Sequence, residues 1–249
     1  MATAKITQNR SVRSISILSV MIALLGSASS TLAQDAVPDL SGNWWRTQDR
    51  SGNTGRVLQE SPRVLSEHGE ALMAVFDPAD DPAARCEHPG AVRVILSPYP
   101  INFELHGDFV AISYEEWATT RIVQLTEQDA DPDVPHTLMG RSVGRYEDGS
   151  LIIETSDLAT GLNMSTGFFW TSEEANVLEE YFLVEDNTYL TLRMTLTDPV
   201  MLTEPWVIEK RWVRYDGELL DFECIDRERP EPITGAGSLL PTARRDPIG

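Results

Sequence analysis

The chain reads as a mainly β protein: an antiparallel meander forming a barrel or a strongly curved sheet, with one short helix near the N-terminus. Three observations predict this. From Pro89 onward, short apolar and β-branched runs follow one another with turn residues between them, in a series of about nine or ten strands. Leu190, Leu192, Met194 and Leu196 alternate with Thr191, Arg193 and Thr195, so one face is apolar and the other wet. Asp148-Gly149 and Asp216-Gly217 are dipeptides that suit tight hairpins, because glycine accepts positive φ at little cost. No strand feeds a βαβ unit, which argues against a doubly wound parallel sheet.

Residues 1–33 read as a secretory signal. Lys5, Arg10 and Arg13 open the chain without an acidic residue, Ile15 to Leu25 is apolar, and small residues lead to Thr31-Leu32-Ala33. Cleavage is expected between Ala33 and Gln34. The alternative is an uncleaved anchor, but the apolar run is short for a span of about 20 residues. Periplasmic or secreted location follows, with no stable membrane insertion after cleavage.

The remaining chain, residues 34–226, is expected to be one β-rich domain. Leu40 to Trp44 reads as a turn into a first strand. A helix is expected over Glu67–Phe76: Ser66 can cap it, Glu67 and Glu70 suit its positive end, and Asp77-Pro78 stops it. Ala79 to Pro89, with two prolines, reads as an ordered loop. Strands are then expected at Val92–Leu96, Asn102–His106, Phe109–Glu115, Thr119–Leu125, a run carrying Arg141 and Arg145, Leu151–Thr155, Val177–Val184, Tyr189–Leu196, Trp206–Tyr215 and Glu218–Cys224. Residues 227–249, rich in proline and glycine, read as a flexible tail.

The formal charge of −19 becomes −22 once the three basic residues of the signal are removed. So acidic a chain repels phosphate backbones and anionic lipid, which excludes nucleic acid as a natural partner. Cys86 and Cys224 are the two cysteines. In an oxidising compartment they either bridge or remain as two buried thiols; two isolated cysteines make no zinc or iron–sulfur pattern.

Gly42-Asn43-Trp44 resembles the opening strand of lipocalin-type and other calycin barrels, whose Gly-x-Trp indole plugs the closed end. The resemblance implies a calycin-like barrel. The segments PYPINFEL (98–105), YEEWATTRIVQL (114–125), MGRSVGRYEDGSLIIETSDL (139–158) and LTDPVMLTEPWVIEKRW (196–212) are similar to a large family of exported, mostly hypothetical bacterial proteins. Cys86 and Cys224 fall where that family usually has cysteine, which implies a Cys86–Cys224 disulfide. Where the family commonly has Arg-Trp-Glu-Gly-Asp, this chain has Arg145-Tyr146-Glu147-Asp148-Gly149, an exchange that keeps the hairpin.

No nucleophile elbow, P-loop, dinucleotide fingerprint or His-x-x-x-His pattern occurs. His68, His88, His106 and His136 are scattered, so no metal and no cofactor is called for. The chemistry-bearing residues are carboxylates and arginines on neighbouring strands: Glu115 and Glu154 as candidate acid–base groups, and Arg121, Arg145, Glu180 and Trp117 as candidate ligand contacts. Alternation puts one of Glu179 and Glu180 on each face. An inward carboxylate must pair with a cation or stay protonated. Outward cross-strand ion pairs are the plainer reading of the same residues. Trp117, Trp170, Tyr181 and Phe182 either line a cavity or fill a core. The reading is an exported barrel that binds a small, partly apolar molecule. Two alternatives stand beside it: a cofactor-independent lyase or isomerase in the same cavity, and an envelope interaction protein that uses its outer surface.

Overall fold

The computed structural model describes Met1 and residues 37–46, 57–78, 81–126, 134–164, 168–222 and 224. The chain divides into two units, Met1–Gln34 and Asp35–Gly249, and the described fold is that of the second. The expected signal segment, beyond Met1, and the expected tail lie outside the described residues.

The strands are β1 (Gly42–Arg46), β2 (Val57–Glu60), β3 (Ile101–Leu105), β4 (Phe109–Tyr114), β5 (Thr119–Gln124), β6 (Arg141–Glu147), β7 (Ser150–Ser156), β8 (Gly161–Met164), β9 (Phe168–Thr171), β10 (Asn176–Val184), β11 (Tyr189–Thr197) and β12 (Trp206–Arg214). The helices are α1 (Glu67–Val75) and α2 (Ala91–Ile95). Ser66 caps α1 as expected, its hydroxyl accepting from Gly69 N at 3.0 Å while donating to Val200 O.

Nine strands close into a barrel in the order β1-β3-β4-β5-β6-β7-β10-β11-β12, because β1 pairs with β12 as well as with β3. A ring of odd strand number cannot alternate up and down throughout, so one neighbouring pair has to be parallel. That pair is β5–β6, joined through Val123↔Ser142 and Gln124↔Val143. Parallel neighbours need a crossover, which the chain makes between Gln124 and Arg141. The seam is tight at Gly144, where a Cβ would stand 2.7 Å from Val123 Cγ1. β2 lies beside β1 on the same edge of β12, and β8–β9 form a separate hairpin.

On β11 the expected apolar face is inside, while on the expected wet face Arg193 is exposed but Thr191 is buried. Leu190, Leu192, Met194 and Leu196 are all fully buried, and Val177, Tyr181, Trp206, Ile208 and Trp212 share the interior. Trp44 is fully buried near the end where the chain enters. Its indole Nε1 donates to Leu40 O at 2.8 Å, and the Arg214 guanidinium, directly opposite in register, lies 4.1 Å from its ring centroid. Arg214 also donates to Asp39 O and Ser41 O, which holds the incoming chain against the closing strand. The other end carries α1, α2 and β8–β9.

Two expected strands are corrected. Val92–Ile95 belong to α2, every residue of which is buried, and Leu96 caps it. A short apolar run reads alike as a buried strand or a buried helix, and Gly90 at φ 97° turns the chain into the helix instead. The carbonyls of Leu96 and Ser97, at its C-terminal end, accept from the inward Lys210 Nζ at 2.6 and 2.8 Å. Glu218–Cys224 is not a strand either, because β1 and β2 already occupy the edge of β12 that it would need. Residues 215–222 instead run over the outside of the barrel. Tyr215 N donates to Asn43 O, Asn43 Nδ2 to Gly217 O, and Leu220 N to Glu115 Oε2. Beyond them the Cys86–Cys224 disulfide ties the strap to the loop before α2.

Replacing both cysteines by serine should lower stability by on the order of 3–5 kcal/mol, since 138 residues separate them in sequence. Urea titration of the double variant checks this. A loss under about 1 kcal/mol would mean that the strap's hydrogen bonds suffice without the bridge.

Candidate functional site

Inside this mostly apolar wall sits one concentrated polar cluster. Parity selects its members: Val177, Glu179 and Tyr181 of β10 point inward, as do Arg121 and Val123 of β5, Tyr114 of β4 and Thr155 of β7. Arg121 and Glu179 meet as a two-pronged pair, Nη1 to Oε1 at 2.6 Å and Nη2 to Oε2 at 2.8 Å. Their side chains are 3% and 0% exposed. Tyr181 Oη donates to Glu179 Oε2 at 2.8 Å, and Ser142 Oγ lies 2.9 Å from Thr155 Oγ1 beside the arginine. The Tyr114 ring centroid is 5.9 Å from Arg121 Cζ, and Phe103 meets Tyr181 edge-on.

The electrostatics follow from burial and pairing. Burial opposes the Arg121 charge, but Glu179 and the nearby tyrosines outweigh it, so the guanidinium stays charged with its pKa above the ordinary value. Burial pushes the Tyr114 phenol up, and it pushes Tyr181 up with Glu179 adding to the effect, so both remain protonated. A buried pair of this kind seldom stabilises a fold relative to well-packed apolar side chains. It is therefore poor value as cement, which makes its chemistry worth asking about.

The cluster is also incompletely satisfied. Arg121 Nε is buried and has no hydrogen-bond partner, and Trp212 Nε1, on the inward face of β12, is a second such atom; the Tyr114 hydroxyl lies against Tyr181 and Arg121. Buried polar atoms in native proteins nearly always have a partner.

Of the residues singled out in the sequence, Arg121 is inside. Arg145 and Glu154 are on the outer face, exposed and paired with each other at 2.6 Å, with Glu147 beside them. They border an open groove of about 470 Å³ with Arg141, Asn176, Leu178 and Thr195. Glu179, not Glu180, is the inward carboxylate; Glu180 is half-buried on the outer side, 3.5 Å from Arg193. Glu115 sits at the rim, accepting from Leu220 N. Trp117 also lies at the rim, at φ 66° in the β4–β5 turn, with Phe222 5.2 Å and His88 6.2 Å away. Phe182 faces outward near Arg193, and Trp170 packs edge-on against Phe76. Only Tyr181 of those four aromatics is in the cluster. Parity groups Glu179 with Val177 and Tyr181, and Tyr114 with Val110 and Ile112, but Leu178 and Phe182 beside Glu180, and Phe109 and Ala111 on β4, are equally apolar, so the sequence left the inward face open. Thr155 and Ser142 had no such signal.

Among the described residues, no three His, Cys, Asp or Glu side chains gather as metal ligands, and no helix is long and apolar enough to cross a membrane. No protein-family model matches this chain, and no curated protein matches it.

Glu179→Leu alone should cost about 3–5 kcal/mol, because it strands the Arg121 charge in the interior. Arg121→Met combined with Glu179→Leu should lose much less than the two single losses together, which a double-mutant cycle in urea would measure.

His88 yields a second expectation. Gly90 N donates to its Nδ1 at 3.1 Å, so the proton of the neutral ring is on Nε2, 2.8 Å from Thr119 Oγ1. Burial pushes the His88 pKa below its ordinary 6.5. The unfolded chain then takes up this proton first, so the contribution of His88 is complete above about pH 6.5 and is lost as pH falls below it. Between pH 7 and 5 the urea midpoint should fall less in His88→Gln than in the wild type.

Proposed function

We propose that the protein is an exported small-molecule-binding β-barrel whose ligand is partly apolar and anchored at its polar end by Arg121 and Tyr114. The observation that carries this reading is a buried ion pair, Arg121–Glu179, with Arg121 Nε unpartnered and the Tyr114 and Tyr181 phenols against it, in a mostly apolar interior. Val110, Ile112, Val123, Leu151 and Ile153 supply the apolar wall around them. Binding sites for small molecules commonly combine such walls with a few placed polar groups. Export is supported by the basic, apolar and small-residue order of residues 1–33, and the Cys86–Cys224 disulfide is compatible with it.

Arg145 and Glu180 leave the expected anchor, since both side chains lie on the outer side of the wall. Proton transfer by Glu115 or Glu154 within the barrel has no support from where those carboxylates sit, at the rim and on the outer face.

The test is native mass spectrometry of the protein purified from its own host's periplasm or medium. The wild type should carry an extra mass that denaturation releases as a small molecule. Arg121→Met combined with Glu179→Leu, which replaces the buried polar anchor by apolar side chains, should lose most of that mass. A bare wild-type protein that also takes up no added apolar probe would overturn the reading.

A further inference from the structure

The parallel seam leaves part of β6 without a neighbour. β5 and β6 share only Val123↔Ser142 and Gln124↔Val143, and after Gln124 the chain bends toward β4, where Leu125 N donates to Asp108 O at 2.8 Å. Among the described residues, β7 is the only strand paired with Arg145, Tyr146 and Glu147. Their backbone groups alternate in direction. Glu147 and Ser150 flank the two-residue turn Asp148-Gly149, both of whose residues have positive φ. A hairpin of this type bonds its flanking pair to each other. The N–H and C=O of Glu147 and Arg145 are thus directed to β7, and those of Tyr146 to the open side of the seam.

This short edge is complementary to itself. A second copy laid against it antiparallel, with a two-fold axis at Tyr146, brings the two Tyr146 backbones together through a reciprocal pair of N–H to C=O bonds. Arg145 then stands opposite Glu147 of the second copy, and Glu147 opposite its Arg145, on the outer face where both side chains are exposed. Opposite charges facing across strands stabilise the pairing, and like charges oppose it. Within one chain, Arg145 Nε donates to Glu147 Oε2 at 2.9 Å, an exposed contact that costs little to exchange. The same register sets the hairpin tip, Asp148-Gly149, opposite Gly144 and Val143. That tip is unencumbered, since a Cβ on Gly149 would meet nothing within 4 Å. Facing it is an open hollow of about 300 Å³ lined by Leu125, Val143, Gly144, Arg145 and Glu154. By symmetry each copy gives one tip and receives one.

We propose that the Arg145–Glu147 edge of β6 is a self-association surface through which two copies of this chain join as a weak, symmetric dimer. A single second copy satisfies the edge, because the two-fold axis closes it. The edge is short, and the chain's formal charge of −19 makes the copies repel each other. The dimer therefore forms at high micromolar concentration and tightens as salt screens that repulsion. The surface lies outside the barrel wall and does not depend on ligand binding in the interior.

Sedimentation velocity of the purified protein tests it, from about 5 to about 500 µM and in about 50 and about 300 mM NaCl. The wild type should pass from monomer to dimer across that range, and at lower concentration in the higher salt. Arg145→Glu or Glu147→Arg alone should weaken the dimer by about tenfold or more, since each puts two like-charge pairs in the interface. The two together exchange the charges and should restore dimerisation to within about threefold of the wild type. Tyr146→Pro, whose lost N–H lies outside the β7 ladder, should keep the fold by circular dichroism and abolish the dimer. A wild type that is monomeric at the highest concentration and salt would overturn the proposal. So would a dimer indifferent to both single reversals, or one that the double exchange fails to restore.

Discussion

Closure of the ring at β1–β12 is the constraint from which most of the architecture follows. Trp44, Trp45 and Arg46 pair with Arg214, Val213 and Trp212, joining the first strand to the last. Once that pairing is made, nine strands have to share one ring and a single parallel seam becomes unavoidable. The seam falls at β5–β6, where Gly144 leaves room for the Val123 side chain, and the crossover between the two strands follows from it. Closure also decides the fate of the chain after β12. With β1 and β2 on the last open edge, residues 215–222 can only lie across the outside, where Asn43, Glu115 and the disulfide hold them.

The two ends of the barrel are finished by different means. At one end a single interaction does most of the work: the Trp44 indole is bonded to Leu40 O and stacked under Arg214, whose guanidinium also gathers the carbonyls of Asp39 and Ser41. At the other end, separate pieces of secondary structure are brought in. α2 is held by Lys210 through its C-terminal carbonyls, the favourable place for a cation on a helix. α1 is held by the Ser66 hydroxyl on Val200 O and by Gly69, where a Cβ would stand 2.6 Å from Met201 O.

Between these ends the interior is apolar except around Arg121 and Glu179. Placing a charged pair there is expensive unless each of its polar atoms is met, and most are: four oxygen and nitrogen atoms in the two-pronged contact, with Tyr181 completing the carboxylate. The exception within the cluster is Arg121 Nε. The outer face carries the same residue types with none of this consequence. Arg145, Glu147 and Glu154 are exposed and solvated, and such pairs contribute little.

Much of the fold was legible because it is local. The apolar face of β11, the Asp148-Gly149 turn and the Ser66 cap each depend on residues close in sequence, and each has the form that its pattern implies. Patterns of this kind determine which side chains share a face. Parity groups Glu179 with Val177 and Tyr181, but it names no partner across the interior. Tertiary structure alone decided that Glu179 meets Arg121, 58 residues away, that Arg145 and Glu154 meet outside, and that Val92–Leu96 coils rather than extends. The reason is physical: strand order and closure set which inward faces oppose one another, and that order is stabilised by pairings and burial spread over the whole ring.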